Sequence, residues 1–214
     1  MSLSTVWPRR KVLTTIALGL MSLVVGKQAE SEQAKSDEAS VPTLVPPLFG
    51  DPLAPVRFCL WGNYTCGYTA QLFPILLNIA LENRGKVSIE WHHFPQRRFD
   101  PALHVASLGF IATNRFWLFT RDFLGIMSKG GISDPEGLVI NIAKYYGISE
   151  DTIRASLADQ KKWEIVKNDF LTGKLLGIKG PPALFYNGYF LTPDGVPEDL
   201  PAFEKSLRDM VQKA

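Results

Sequence analysis

The sequence predicts a mixed α/β fold, in which a β-α-β unit, a helical segment and a β-β-α unit follow one another. Three observations indicate this order: an apolar, β-prone run at residues 56–61, apolar residues at helical spacing after Cys66, and the pair Asn187-Gly188 between two β-prone runs. Asn-Gly is a strong hairpin signal because both central residues of the tight turn need positive φ. Asn187-Gly188 therefore predicts an antiparallel hairpin, which the final helix of the chain follows.

Composition and charge narrow the class of protein. The 214 residues include 23 basic and 21 acidic residues, and 46% are hydrophobic, which suits a folded globular domain. The small positive excess comes from Arg9, Arg10 and Lys11, so the rest of the chain has no basic patch for nucleic acid. Two cysteines and three histidines exclude a multi-disulfide scaffold and an all-cysteine zinc site. We predict no nucleic-acid partner and no resident metal.

Residues 1–26 have the layout of an export signal. A basic cluster precedes a 15-residue apolar run, residues 12–26, which is shorter than the ~20 residues of a membrane-spanning helix. The pair Arg9-Arg10 also resembles a twin-arginine export signal. Because the cleavage site is poorly marked, retention of this segment as an N-terminal membrane anchor stays an open alternative. The expected location is therefore periplasmic, or membrane-anchored and facing the periplasm.

The segment 27–54 is predicted to be a linker, polar at first and then rich in proline. The folded domain is expected to span residues 55–214. After the opening strand and the helix that begins near Cys66, residues 86–94 alternate in polarity and predict a second strand. These elements form the β-α-β unit.

A helical insertion is predicted at about residues 101–176. Asp100 followed by Pro101 marks its start, because an acidic capping residue and a proline at the first position favour a helix. The strands then return around Asn187-Gly188. Residues 198–213 repeat apolar side chains at helical spacing and predict the final helix.

Four stretches of the chain carry a family resemblance. They are Tyr64-Thr65-Cys66-Gly67-Tyr68-Thr69, His93-Phe94-Pro95 with Asp100-Pro101-Ala102, Phe116-Trp117 with Leu124, and residues 177–182 (GIKGPP) followed by Asn187-Gly188. In this order they resemble the aromatic-x-Cys-Pro-Tyr-Cys segment, second strand, insertion helix and cis-proline loop of DsbA-like thiol-disulfide oxidoreductases. The resemblance covers about residues 55–213. It implies a thioredoxin-like α/β fold with an inserted helical subdomain.

The resemblance implies thiol-disulfide exchange, with Cys66 as the catalytic cysteine. Thr69 replaces the second cysteine of the family's C-x-x-C motif; its hydroxyl is expected to hydrogen-bond the Cys66 thiolate, but it cannot resolve a mixed disulfide. A cysteine at a helix N-terminus is favoured as the thiolate by unpaired N–H groups and the helix dipole. The implied substrate-binding residues are Gly67, Tyr68, Pro181 and Pro182, with Pro182 at the cis-proline position and Pro181 replacing the family's usual Thr or Val.

Cys59 does not readily replace the missing thiol. It lies seven residues before Cys66 on the opening strand, and a strand rises ~3.3 Å per residue. A disulfide needs Cα atoms within ~7 Å of each other. We interpret Cys59 as a small buried apolar residue. Packing rather than catalysis is also expected for His92, His93 and His104.

The expected protein is an exported oxidoreductase that acts through one cysteine, with protein thiols, disulfides or a low-molecular-weight thiol as partners. No cofactor is implied, and glutathione as a co-substrate is left open. Two alternatives stay open: a redox-inactive binding or chaperone-like module, and a glutathione-using transferase or isomerase. Thr69 and Pro181 favour the alternatives, whereas Cys66 and Tyr68 favour the oxidoreductase.

Overall fold

The computed structural model describes residues 46–130, 133–193 and 195–214. The predicted export segment at residues 1–26 lies outside the described residues, as does the linker up to residue 45. In the described part, no helix is both long and apolar enough to cross a membrane.

A five-stranded sheet organises this part of the chain. Its strands are β1 (Leu48–Phe49), β2 (Val56–Gly62), β3 (Val87–His93), β4 (Ala183–Tyr186) and β5 (Tyr189–Phe190). The α-helices of the described residues are α1 (Gly67–Glu82), α2 (Asp100–Ser107), α3 (Phe116–Met127), α4 (Pro135–Tyr145), α5 (Glu150–Ala158), α6 (Gln160–Leu175) and α7 (Leu200–Gln212). The sheet order is β1-β3-β2-β4-β5, in which β2 and β3 are parallel and the other pairs antiparallel. The predicted β-α-β, helical and β-β-α order is therefore confirmed.

Side chains alternate between the two faces of β2 and β3, as the pleat of a strand requires. Phe58 and Leu60 are fully buried in the main core, which contains the apolar face of α1. Trp61 lies on the other face and packs with Phe94 in a smaller cluster. There α6 approaches so closely that a Cβ on Gly173 would lie 2.9 Å from Phe94. The sheet thus has one face packed against α1 and an opposite face packed against α6, and the second is the face below α6.

The first strand lies where the sequence analysis assigned a linker. Leu48 pairs with Glu90, and Phe49 with Ile89, in an antiparallel arrangement on the edge of the sheet. Two residues between Pro47 and Gly50 are too few to show an alternating pattern. Their pairing depends on backbone hydrogen bonds to β3, which side-chain polarity does not reveal. The ordered fold accordingly begins before residue 55.

Candidate active site

Cys66 lies directly before α1, at the end of the loop that follows β2. Its backbone is extended (φ −97°, ψ 119°), its N–H donates to the Asn63 carbonyl at 3.1 Å, and its carbonyl accepts from the Ala70 N–H at 3.0 Å. The helix therefore begins at Gly67. No side chain caps the first turn of α1, so its N–H groups are left to favour a negative charge at this end of the helix.

The Cys66 thiol contacts a loop that is distant in the sequence. It donates to the carbonyl oxygen of Pro181, with 3.3 Å between sulfur and oxygen. The peptide bond between Pro181 and Pro182 is cis. The fold thus brings the cysteine and the diproline loop together, two of the four sequence stretches on which the resemblance rests.

An open cleft of about 510 Å³ adjoins this contact. Its volume lies within the ~300–1,000 Å³ of ligand-binding pockets. Tyr68 is 59% exposed, which leaves its ring available to a bound partner. Gly67 does not line the cleft, although the space where a Cβ would stand is open. The cleft is lined by Tyr68, Lys179, Gly180, Pro181, Pro182 and Phe190 among others.

Thr69 is fully buried. Contrary to the prediction, its hydroxyl is not hydrogen-bonded to the Cys66 sulfur. The hydroxyl oxygen instead accepts a hydrogen bond from the N–H of Asn63 at 3.4 Å. The reason is geometric: a helical side chain points back towards the N-terminus, so the third residue of α1 reaches the loop before the helix. Thr69 therefore supports the loop that carries Cys66.

A second support for this loop is the fully buried carboxylate of Asp100. It accepts hydrogen bonds from Asn63 Nδ2 at 2.8 Å and from the Thr65 hydroxyl at 2.8 Å. It also accepts from the backbone N–H groups of Gln96 at 2.9 Å and Arg97 at 2.7 Å. Four donors compensate the cost of burying the carboxylate. Asp100 thereby joins the Cys66 loop to the start of the helical insertion.

This role was not predicted from the sequence, in which Asp100 before Pro101 indicated the capping residue of α2. In the structure the cap is Phe99, and Asp100 is the first residue of the helix. The carboxylate turns away from the N–H groups of its own helix. The available signal was the pair of polar residues, Asn63 and Thr65, in the loop between a buried strand and a buried helix.

Two fully buried histidines extend the network into the core. His104 Nε2 lies 3.3 Å from Asn63 Oδ1, and the Nδ1 atoms of His93 and His104 are 2.8 Å apart. The Trp91 indole N–H donates to His93 Nδ1 at 3.2 Å. Burial lowers the pKa of both histidines to about 3, and both are neutral at pH 7. They act as packing residues.

The opposite face of the sheet holds Cys59 and His92. The His92 ring lies between Glu90 (Nε2 to Oε1, 2.8 Å) and Asp169 (Nδ1 to Oδ1, 3.0 Å) and stacks on Trp61. Burial lowers the pKa of His92, but hydrogen bonds to Asp169, Cys59 and Glu90 outweigh it and raise the pKa to about 11. Cys59 is half-buried rather than fully buried: it packs against the apolar cluster of Trp61 and Phe94, and its thiol also lies beside Glu90 and His92.

Cys59 and Cys66 are both free thiols. Cys59 lies within β2 on the face below α6, whereas Cys66 contacts the diproline loop. The prediction that they do not form a disulfide agrees with this arrangement.

Comparison with known proteins identifies the family to which the chain belongs. The chain matches the thioredoxin family over residues 42–204, and it belongs to that family. No curated protein matches it.

Solved structures share the fold. A thioredoxin-like oxidoreductase from Silicibacter pomeroyi DSS-3 has 16% identity and a TM-score of 0.64, over 79% of this chain and 93% of that chain. The thiol-disulfide exchange protein alpha-DsbA2 from Wolbachia pipientis has 22% identity and a TM-score of 0.66, over 81% and 89%. BdbD from Bacillus subtilis has 17% identity and a TM-score of 0.62, over 78% and 91%. These similarities confirm the predicted DsbA-like thioredoxin fold.

Proposed function

We propose that the protein is a thiol-disulfide oxidoreductase that exchanges disulfides through one cysteine, Cys66. The observation that carries the proposal is the position of this thiol, directly before α1 and against the Pro181 carbonyl beside an open cleft. The helix N-terminus favours the thiolate that exchange requires. The cleft gives a partner disulfide access to it.

The proposed exchange begins with ionisation of Cys66. Loss of the thiol proton frees the Pro181 carbonyl to accept an N–H from a partner backbone, while Pro181 has no N–H of its own to donate. The thiolate attacks one sulfur of the partner disulfide. A bond forms between Cys66 Sγ and that sulfur, and the partner's S–S bond breaks to release its second sulfur as a thiolate.

Resolution of the mixed disulfide requires a second thiol. Thr69 cannot supply it, because its side chain carries a buried hydroxyl bonded to Asn63. An external thiol, from a protein or from glutathione, attacks the mixed disulfide and releases Cys66 as the thiolate. Each cycle consumes one external thiol and exchanges one disulfide for another, and full reduction of the partner takes a second external thiol, which leaves as the external disulfide.

The proposed location is outside the cytoplasm, where disulfides persist. Residues 1–26 would direct export, by the twin-arginine route if Arg9 and Arg10 are required. A reporter fused to these residues should be exported, and replacing both arginines by lysine should impair that export. Unchanged export of the double variant would contradict the twin-arginine route while leaving general secretion in place.

An insulin-reduction assay with and without glutathione tests the proposed reaction. We expect wild-type turnover only when glutathione is present, loss of turnover in Cys66→Ser, and retention in Cys59→Ser. Absence of turnover in folded wild type under both conditions would refute the proposal.

One observation favours a second candidate, a binding module without redox turnover. Thr69, at the position of the family's second cysteine, is buried and hydrogen-bonded to the loop at Asn63. Such a module would bind an extended polypeptide in the same cleft, and Cys66→Ser would bind it as tightly as wild type. Fluorescence titration of a labelled unfolded polypeptide separates the two candidates when combined with the insulin assay.

A further inference from the structure

The sheet face below α6 carries a group of potential metal ligands that the proposed exchange does not use. One potential ligand atom each from Cys59, Glu90 and His92 lies within 4.8 Å of the other two. We propose that these three residues bind a divalent transition-metal ion. A thiolate, a carboxylate and an imidazole are all ligands of Zn²⁺ in proteins, and the thiolate disfavours Mg²⁺ and Ca²⁺.

The parallel pairing of β2 and β3 creates this group. Cys59 lies directly opposite Glu90 in the register, and His92 follows Glu90 by two residues on the same face. His92 Nε2 and Glu90 Oε1 are already 2.8 Å apart. Ligand atoms around a tetrahedral zinc ion lie ~3–4 Å apart, given bonds of ~2.0–2.3 Å. Small side-chain rotations therefore suffice to close the three ligands around an ion.

Asp169 on α6 positions the histidine. Its Oδ1 lies 3.0 Å from His92 Nδ1, and its Oδ2 accepts the backbone N–H of His93 at 2.8 Å. A carboxylate on the second nitrogen of a metal-binding histidine fixes the ring and its tautomer. With Nδ1 held by Asp169, Nε2 is the nitrogen that faces the other ligands. Asp169 is thus a positioning residue rather than a ligand.

The three residues are only partly buried. The side chains of His92 and Glu90 are 12% and 18% exposed, so an ion can enter without unfolding. Three protein ligands leave a fourth position, which water can occupy. On binding, the Cys59 thiol proton and the hydrogen that His92 Nε2 shares with Glu90 pass to solvent. The second Glu90 oxygen keeps its ion pair with Arg57, 3.4 Å away.

The two cysteines provide a matched test with Co²⁺, which reports thiolate ligation by an intense near-ultraviolet charge-transfer band. The full, untagged and reduced chain is titrated with Co²⁺ and then with Zn²⁺. We expect one Co²⁺ per chain, a thiolate band, and displacement of Co²⁺ by Zn²⁺. The band should disappear in Cys59→Ser and persist in Cys66→Ser.

Variants of similar size test the other members. Glu90→Gln and Asp169→Asn should each weaken Co²⁺ binding by about 10- to 100-fold, whereas Glu82→Gln, on an exposed carboxylate of α1, should leave it unchanged. If circular dichroism shows that Cys59→Ser is unfolded, the affinity of folded Glu90→Gln for Co²⁺ tests the proposal instead.

The proposal is overturned if folded wild type shows no saturable Co²⁺ binding, if the band persists in folded Cys59→Ser, or if Glu90→Gln binds as wild type. Insulin reduction requires Cys66 and Co²⁺ binding requires Cys59, so the failure of either proposal is distinguishable from failure of the other.

Discussion

The two cysteines lie seven residues apart in sequence but in different chemical surroundings. Cys66 stands where the chain has left β2, against the Pro181 carbonyl and beside an open cleft. Cys59 lies within β2, among Glu90 and His92 and below α6. The residue type is the same, so position relative to the end of β2 gives the two thiols their different surroundings.

The largest expected effect comes from returning a second thiol to the Cys66 side. Thr69→Cys places two thiols one helical turn apart, and the new thiol can attack a Cys66 mixed disulfide from within the protein. Starting from the reduced variant and without glutathione, reduction of one insulin disulfide per chain should be at least about tenfold faster than with wild type, because an intramolecular attack has a high effective concentration. The step leaves the introduced thiol in a disulfide with Cys66, so repeated turnover needs an added dithiol as the reductant.

Pro181 limits this gain because it has no backbone N–H for a partner. Thr69→Cys combined with Pro181→Thr should therefore turn over faster than Thr69→Cys alone. Mass spectrometry first checks that the introduced thiol forms a disulfide with Cys66. If that disulfide forms in both variants and neither exchanges with a dithiol, the cleft does not admit substrates and the binding-module candidate stands.

The next effect concerns the support of the Cys66 loop. Asp100→Ala leaves four donors without their acceptor, two of them on the buried residues Asn63 and Thr65, and should lower the free energy of unfolding by about 2–4 kcal/mol. Asp100→Asn keeps the size and one accepting oxygen, so its loss should be smaller. Urea unfolding at pH 7 measures both. Equal stability of Asp100→Ala and wild type would show that the carboxylate does not hold the loop.

The buried histidines give the Cys66 side an acid sensitivity. The pKa of His104 is about 3 in the fold and ordinarily 6.5, because burial disfavours the charged ring. The unfolded chain therefore binds the extra proton below pH 6.5, and the free energy of unfolding falls as pH drops from 6.5 towards 3. Between pH 7 and 5, wild type should lose about 1–2 kcal/mol more than His104→Gln. Parallel urea curves with the same pH-dependent loss in both proteins would contradict this.

The smallest expected effect concerns partner binding. Tyr68 lines the cleft and exposes its ring, whereas Tyr189 is also exposed but does not line the cleft. Tyr68→Ala should raise the KM for insulin by a few-fold with little change in kcat, because it removes binding surface and not the thiol. Tyr189→Ala is the matched control. A similar KM in the two variants would place the partner elsewhere.

The sequence predicted the order of the elements because apolar periodicity and the Asn187-Gly188 turn are local signals. It also predicted that Cys66 opens α1. It could not predict that the Thr69 hydroxyl bonds Asn63 instead of the sulfur, since that depends on the path of the preceding loop. The buried role of Asp100 depends likewise on contacts with residues more than thirty positions away.

The group of potential metal ligands on the face below α6 also could not be predicted from local sequence patterns. Glu90 and His92 are two apart on one strand, but Cys59 joins them only through the register of the parallel pair. Asp169 then arrives from α6, after the whole helical insertion. Each of these residues looks ordinary in its own segment, and only the folded sheet combines them.

Alkylation of the folded, metal-free protein at neutral pH, followed by peptide mapping over time, shows whether Cys66 rather than Cys59 is the reactive thiol. Cys66 should be labelled first, since it lies beside the cleft at a helix N-terminus. A chain unfolded in urea, where both thiols are equally accessible, is the control. Equal labelling in the folded protein, or a preference for Cys59, would contradict the account.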